Sequence, residues 1–471
     1  MKKILYITLG IISSLYIFGC KVGPNAQTPE INSPTTFRFD TTANQDSVIN
    51  LKWWELFNDP TLDSLIKIAL IENKDILIAA KRIEQSRAAL NFTKADMYPS
   101  LSIIGNGAHG NFNGFKTPDA NTTWSGGAQL AWELDFWGKF RRANESARAQ
   151  LLATEFAQRQ IQIDLIAQVA ESYFKLLDYK LRLEISEKTL ASRDSSEQII
   201  NARFVNGIIP ELDLNQAQIQ TAIAKASIPK FRRWYTKTEN GMNVLLGRNP
   251  NIVTLDYSLN DQKFPDTVPV GIPSSLLSRR PDIMQQEQMI YSQNAMVGVA
   301  VAKRFPSISL TGILGAASNS LAIFNSSGAA WNVGAGLFGP LFQWGKNKRR
   351  VEIEKIKTEQ EVLKYEQTVL QAFLEVEDAL ISTKTWKEQF EANEDQVKAS
   401  INARYLSELR YDKGVTSYLE VIEYQRTAFD AELTLSSTRR YYLASYVQLY
   451  KALGGGWISE QEEKDAQAEN E

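Results

Sequence analysis

The stretch at 134–142 reads LDFWGKFRR, and 207 residues further on, at 341–349, the chain reads LFQWGKNKR. In both places an alternating segment stops at WGK and a long run without Gly or Pro begins. Sliding the chain against itself by the same offset aligns far more than this motif. YPSLSI at 98–103 falls on FPSISL at 305–310, Trp124 on Trp331, Gly127 on Gly334, Arg142 on Arg349 and Glu145 on Glu352. Arg203 meets Arg410, Gly207 meets Gly414, Leu212 meets Leu419 and Gln218 meets Gln425, all without a gap. Such an internal repeat decides the architecture before any local reading does. Tandem domains on a linker would produce it, and so would two halves of one object. Helices too long to close a globular core favour the second.

Lys139–Asn206 and Lys346–Lys413 are runs of 68 residues with neither Gly nor Pro. Both are rich in the strong helix formers Ala, Leu, Glu, Gln, Lys and Arg. At 1.5 Å per residue each would make a helix about 100 Å long. Apolar residues recur at helical spacing, as in Ile161, Leu165, Ile166, Val169, Tyr173, Leu176 and Leu177. A pattern sustained over that length points to coiled-coil packing. NGIIP at 206–210 and KGVTS at 413–417 place a glycine just past each helix end. Asp213 and Glu420 then fall in the first turns of return helices, where the macrodipole favours negative charge. These run to Leu246 and Leu453. Shorter helices, Asp75 to Met97 and Asp282 to Arg304, lead into the two repeats.

Between short and long helices the period changes to two. In QLAWELDFW, 129–137, Leu130, Trp132, Leu134 and Phe136 alternate with Gln129, Ala131, Glu133 and Asp135. Trp331, Val333, Ala335 and Leu337 alternate with Asn332, Gly334 and Gly336 in the second half, and LSI at 101–103 and ISL at 308–310 begin partner strands. Strands of about ten residues with one apolar face fit the staves of a transmembrane barrel, and also a half-buried soluble sheet. Four staves cannot close a barrel, and open edges cannot sit in lipid. In a membrane, therefore, the chain must assemble with copies of itself.

Lys and Arg number 52 against 54 Asp and Glu, a net charge of −2, which gives no support for nucleic-acid binding. Lys2 and Lys3 precede an apolar run from Ile4 to Phe18 and then Gly19-Cys20, the layout of a cleaved export signal. Cys20 is the only cysteine, so no intramolecular disulfide or cysteine zinc pair exists. Its setting resembles a bacterial lipoprotein processing site, where the thiol is acylated. Ile17 and Gly19 fit that pattern, whereas Phe18 stands where a small residue is common; an incidental cysteine is the alternative. Lys21, rather than Asp, follows it, which by the same resemblance implies outer-membrane sorting. His109 has no Cys or His companion, and Met242, Met284, Met289 and Met296 form no tight cluster, so no metal site is expected. There is no Walker loop and no GxGxxG. No catalytic residue and no cofactor are expected beyond a covalent lipid on Cys20.

AWELDFWGKFRR, SLLSRRPDI at 275–283, AKRFPSISLTG at 302–312 and GPLFQWGK resemble the TolC-type outer-membrane efflux proteins. The likeness is to their lipoprotein branch, the OprM/NodT-like outer membrane factors. It runs from WWELFNDPTLDSLI at 53–66 to YKALGGGW at 450–457. The resemblance implies a mainly α fold with a membrane β-barrel. Duplicated αα-hairpins would form a periplasmic helical tunnel, and four strands per chain a twelve-stranded barrel in a homotrimer. A belt would use residues near 51–72, 248–278 and the C-terminus. It implies an outer-membrane protein, lipid-anchored and barrel-inserted, that extends into the periplasm. Its function would be that of a passive exit duct for drugs or other small molecules, metal ions among the candidates. An inner-membrane RND-type pump would deliver them through a periplasmic adaptor (membrane fusion) protein.

The corresponding divisions are a signal peptide at 1–19, a linker at 20–50, a first repeat at 51–250 and an inter-repeat segment at 251–278. A second repeat at 279–457 and an acidic tail at 458–471 complete them. Strands are expected at about 98–137 and 305–344, and tunnel helices at about 138–247 and 345–453. Trp137 and Trp344 would lie at the lipid–water interface, where indoles collect. Gly207, Gly414, Val415 and Thr416 would form the tips that meet the adaptor. YLEVIE at 418–423 matches a family tip pattern, Tyr-Leu-x-x-x-Asp, with Glu replacing Asp. By that match three copies of Leu419 form an apolar plug and three of Glu423 an acidic ring, while the repeat partners Leu212 and Gln216 are uncharged. Ordinary coiled-coil core for Leu419 and a surface charge for Glu423 is the plainer alternative. Two other functions compete: a coiled-coil periplasmic scaffold lipoprotein without a channel, and a carboxylate glycosidase, for which nothing localises an acid pair.

Overall fold

The computed structural model describes residues 21–31, 33–39, 53–111, 120–265, 273, 276–321 and 329–455. The signal peptide, Cys20 and the acidic tail lie outside the described residues. After a short 3-10 turn at Trp53–Phe57 come α1 (Pro60–Glu72), α2 (Lys74–Ala95), β1 (Ser100–Gly110) and β2 (Asn121–Leu134). Then follow α3 (Lys139–Val205), α4 (Glu211–Leu245), α5 (Pro281–Ala302), β3 (Ser307–Ser318), β4 (Ala329–Phe338), α6 (Lys346–Asp412) and α7 (Tyr418–Ala452). α3 and α6 are 67 residues each and α4 and α7 are 35 each, so the duplication extends to element length.

The helices stop where glycine permits it. At the end of α3, Gly207 sits at φ 72, its N–H bonds to Phe204 O at 2.8 Å and Ile208 N–H to Arg203 O at 3.0 Å. Gly414 repeats this at φ 72, with bonds to Tyr411 O and, from Val415, to Arg410 O at 2.9 Å. These paired bonds satisfy carbonyls that the helix leaves without partners.

Two compact units divide the chain, and each draws on both repeats. One comprises 1–31, 81–156 and 285–367 and holds the sheet; the other comprises 32–80, 157–284 and 368–471 and holds the helical hairpins. The sheet is antiparallel in the order β1-β2-β3-β4. Its register pairs Leu101 with Leu130, Leu130 with Gly312, and Gly312 with Val333. Since side chains alternate across a strand, that register gathers Leu101, Ile103, Trp132, Leu310, Trp331 and Leu337 on one face. Ser100, Ser102, Gln129, Ser309, Thr311 and Asn332 take the other. Ser100 and Ser307 donate their hydroxyls across the ladder to Ala131 O and Phe338 O, both at 3.2 Å. Gly127 and Gly315 oppose each other on this polar face, and a Cβ on Gly315 would lie 2.0 Å from Gly126 O.

The second unit is built on the middle of α3. Val169, Tyr173, Phe174, Leu176 and Leu177 are buried with Leu62 and Ile66 of α1, Met242 and Leu246 at the end of α4, and Leu443 and Val447 of α7. Fully burying one such aliphatic chain is worth about 1.5–3 kcal/mol. Asp59 caps α1, accepting from the N–H groups of Thr61 at 2.9 Å and Leu62 at 3.2 Å, and also takes Gln262 Nε2 at 2.7 Å.

Candidate functional site

Two places carry the residues singled out above: the collar where strands become long helices, and the hairpin tips. At the collar the alternation predicted to reach Trp137 stops at Leu134. Asp135 is drawn off to the start of α3, where its carboxylate accepts from the backbone N–H of Phe140 at 3.0 Å and Arg141 at 2.9 Å. β4 likewise stops short, at Phe338. Trp137 donates its indole N–H to Pro306 O at 2.8 Å and stacks on Phe305 with centroids 4.5 Å apart. It thereby ties the end of β2 to the approach of β3. Its repeat counterpart differs: Trp344 is 90% exposed, at φ 49, with Phe342 as a ring neighbour at 4.8 Å.

The same asymmetry holds for the arginines. Arg142, with a side chain only 2% exposed, donates to Val22 O at 3.2 Å, Gly23 O at 3.1 Å, Asn25 Oδ1 at 3.0 Å and Glu145 at 2.9 Å. Lys21 completes this clasp with a 2.8 Å bond to Glu145. Burial works against charge on Glu145, but the hydrogen bonds from Lys21 and Arg142 outweigh it and hold the carboxyl below the usual range. Gly23 runs so close to α5 that a Cβ there would lie 2.5 Å from Gly298 Cα. The chain after Cys20 is thus strapped down beside Trp137, whose carbonyl accepts from Val22 N–H at 3.3 Å. Arg349 has no strap to hold; its side chain is 71% exposed and pairs with Glu352 at 2.6 Å.

At the tips, Ile200, Leu214, Ala217, Tyr418, Val421 and Ile422 form a small core shared by the two hairpins, with Phe204, Ile209 and Tyr411 against it. Arg203 pairs with Asp412 at 3.7 Å and lies over the Tyr411 ring. Thr416 hydrogen-bonds Glu420, which also pairs with Arg410 at 3.3 Å. Gly207, Gly414 and Val415 are open to solvent. Leu419 faces out of the tip core, 60% exposed, as does its partner Leu212. Glu423 bonds Arg426 with both carboxylate oxygens, at 2.9 and 2.8 Å. The side chain expected to supply an acidic ring is therefore already paired along its own helix.

Sequence reasoning missed the Arg142 strap and a second buried arginine. Arg280, from SRRPDI, donates to Asp282 at 2.7 Å, Glu375 at 2.8 Å and Ala452 O at 2.8 Å, closing the end of α7. Burial disfavours its charge, and the Asp282 and Glu375 carboxylates more than offset that. Among the described residues no group of three or more His, Cys, Asp or Glu could hold a metal ion. No described helix is long and apolar enough to cross a membrane.

Comparison with known proteins gives consistent matches across the chain. The family described as outer membrane efflux protein matches residues 65–248 and 272–455. The probable efflux pump outer membrane protein TtgC of Pseudomonas putida is 32% identical over 469 residues, covering 97% of each chain. The cation efflux system protein CusC of Escherichia coli is 33% identical over 451 residues, 94% of this chain and 97% of that one. The solved outer-membrane channel OprN superposes with a TM-score of 0.85 at 30% identity, covering 93% of this chain and all of the other.

Proposed function

The chain belongs to the outer membrane efflux protein family, and on that premise we propose that three copies form the exit duct of a tripartite pump. It is an outer-membrane efflux channel component that extends into the periplasm. Energy would come from an inner-membrane RND-type pump, and cargo through a periplasmic adaptor protein that meets the tips at Gly207, Gly414, Val415 and Thr416. Cys20 would carry the lipid, and Leu419 and Glu423 would line the resting constriction. Drugs, solvents and metal ions are all compatible cargoes.

One observation carries the reading: a sheet with an exposed apolar face and two edges unpaired among the described residues leads directly into 67-residue helices. Ile103 is 92% exposed and Trp331 75%. In water that face would be a large apolar liability. In lipid it is satisfied, but each unpaired edge N–H or C=O there costs several kcal/mol, so closure with other copies is required. A channel-less scaffold would leave the apolar face without an environment. The purified protein, reconstituted into planar lipid bilayers, should give discrete conductance steps. Inserted multimers that never conduct would refute the duct.

A further inference from the structure

Acids and bases nearly balance over the chain as a whole, but not along one groove of the helical unit. There α3, α6 and α7 wall a cavity of about 480 Å³ whose charged lining is Lys188, Arg193, Arg404, Arg439 and Glu432. Four cations face one carboxylate. The repeat offset carries Lys188, Arg193, Arg404 and Glu432 onto Asp395, Ser400, Glu197 and Lys225. The excess of positive charge therefore belongs to this groove and is not a pattern that both repeats share. Arg193 is only 3% exposed. Its Nη1 donates to Gln220 O at 2.8 Å and its guanidinium lies 5.1 Å from the Phe429 ring centroid. Its Nε and Nη2 have no acceptor among the described residues, although buried donors are nearly always paired and leaving them unpaired is costly. Arg439 donates from Nη2 to Asn260 O at 2.8 Å and Gln262 O at 3.1 Å, and its Nε also lacks an acceptor among the described residues. Among the described residues the side chains of Lys188, Arg404 and Glu432 form no hydrogen bond or ion pair; Arg404 and Lys188 act on Glu432 through their field alone.

We infer that this groove binds an aromatic organic anion, with its acidic group held by Lys188 and Arg404 and its rings laid against Ile185, Val397, Phe429 and Leu435. Those four apolar side chains line the same cavity. A space of this size, mostly apolar with a few convergent polar groups, suits a small organic molecule better than a bare inorganic ion. Arg193 and Arg439 add to the field that draws the anion in. Glu432 opposes it, because like charges at one site disfavour each other. The occupant is therefore held weakly enough to exchange. The site lies within one chain, so it stands or falls apart from the duct and the multimer.

The test is calorimetric titration of 2-naphthalenesulfonate into the full-length protein in nonionic detergent, against a detergent blank, with 2-naphthalenesulfonamide as its uncharged analogue. The sulfonate should occupy one site per chain and bind at least about tenfold more tightly than the sulfonamide, since charge-assisted hydrogen bonds are the stronger kind. Arg404→Gln should weaken the sulfonate at least about tenfold. Glu432→Gln should strengthen it about threefold or more, because a repelling charge is gone. A merely structural role would not move the two variants in opposite directions. Helical circular dichroism checks that each has folded, and the exposed Lys188→Gln gives the same weakening should Arg404→Gln fail to fold. Equal affinity for sulfonate and sulfonamide overturns the recognition of charge. Sulfate that competes as well as 2-naphthalenesulfonate overturns the apolar half of the site. Parent-like affinity in all three variants, or no binding to the parent, overturns the inference.

Discussion

Gly414 and Gly247 end helices in the same way but should differ sharply in their tolerance of a methyl group. Both lie in the left-handed region, at φ 72 and φ 69. Both are followed by the same closing bond, Val415 N–H to Arg410 O and Arg248 N–H to Asn243 O. Substituting alanine costs each about 1–2 kcal/mol for its backbone conformation. Around Gly414 a Cβ meets nothing within 4 Å, so that figure should be the whole effect. Around Gly247 it would lie 2.2 Å from Glu72 O and 2.7 Å from Glu72 C, at the end of α1. Backbone atoms cannot rotate aside, and overpacking of this kind adds about 1–3 kcal/mol. Gly247→Ala should therefore cost about 2–5 kcal/mol and Gly414→Ala about 1–2. The readout is the midpoint of heat-induced loss of helical circular dichroism, in detergent at one fixed scan rate, because such unfolding is kinetically controlled. Equal losses would show that the conformation at φ > 0 sets the cost alone and that the contact with α1 is immaterial. A larger loss at Gly414 would refute the packing argument outright.

Replacing Leu419 and Glu423 together with alanine should raise single-channel conductance and sensitise cells to large antibiotics such as vancomycin; parent-like conductance removes these residues from the gate. Cys20→Ser should abolish acyl labelling while leaving barrel insertion weakened rather than lost, and a mature mass equal to the bare polypeptide in the parent would exclude lipidation. Glu432 tests the pH dependence. Burial raises its pKa, and Arg404 and Lys188 only partly offset that. The folded value lies above the unfolded one, so its stabilising share is full below about pH 4, the unfolded carboxyl range, and is lost as pH rises through the raised folded value. Glu432→Gln should then be more stable than the parent at neutral pH and should lose that advantage in acid, as melts at several pH values would show.

Much of this was legible in the chain because regular elements repeat at a fixed offset. The long helices begin at Lys139 and Lys346 and end two residues before the expected glycines, since a run of helix formers closed by a left-handed position leaves little alternative. Alternation likewise revealed the two faces of the sheet. What the repeat concealed is where its halves differ. WGK and the following basic residues occur twice, yet Arg142 is buried and Arg349 is not, because there is only one N-terminal strap to bind. Trp137 and Trp344 differ because Phe305 stacks on the first, whereas the second meets only the edge of Phe342 and stays exposed. Strand ends were overrun at Phe136 because Asp135 reads as a polar-face residue until the helix it caps is seen. The pairing of Glu423 with Arg426 was also readable, since three residues is a spacing that commonly forms ion pairs on a helix.

The serines that reach across the ladder bear on how fast a solute can travel. Ser100 and Ser307 have already given their protons to carbonyls of the neighbouring strand. Around Gly127 and Gly315 the polar face is bare main chain whose own bonds are closed. If that face lines the bore, a molecule moving past these serines and glycines finds few idle donors to exchange for its hydration shell. Such a wall is slippery. Cargo would be held by water more than by protein, residence times would stay short, and transit would approach free diffusion along the bore. Lubrication of this kind suits a conduit that must never become the slow step behind a pump.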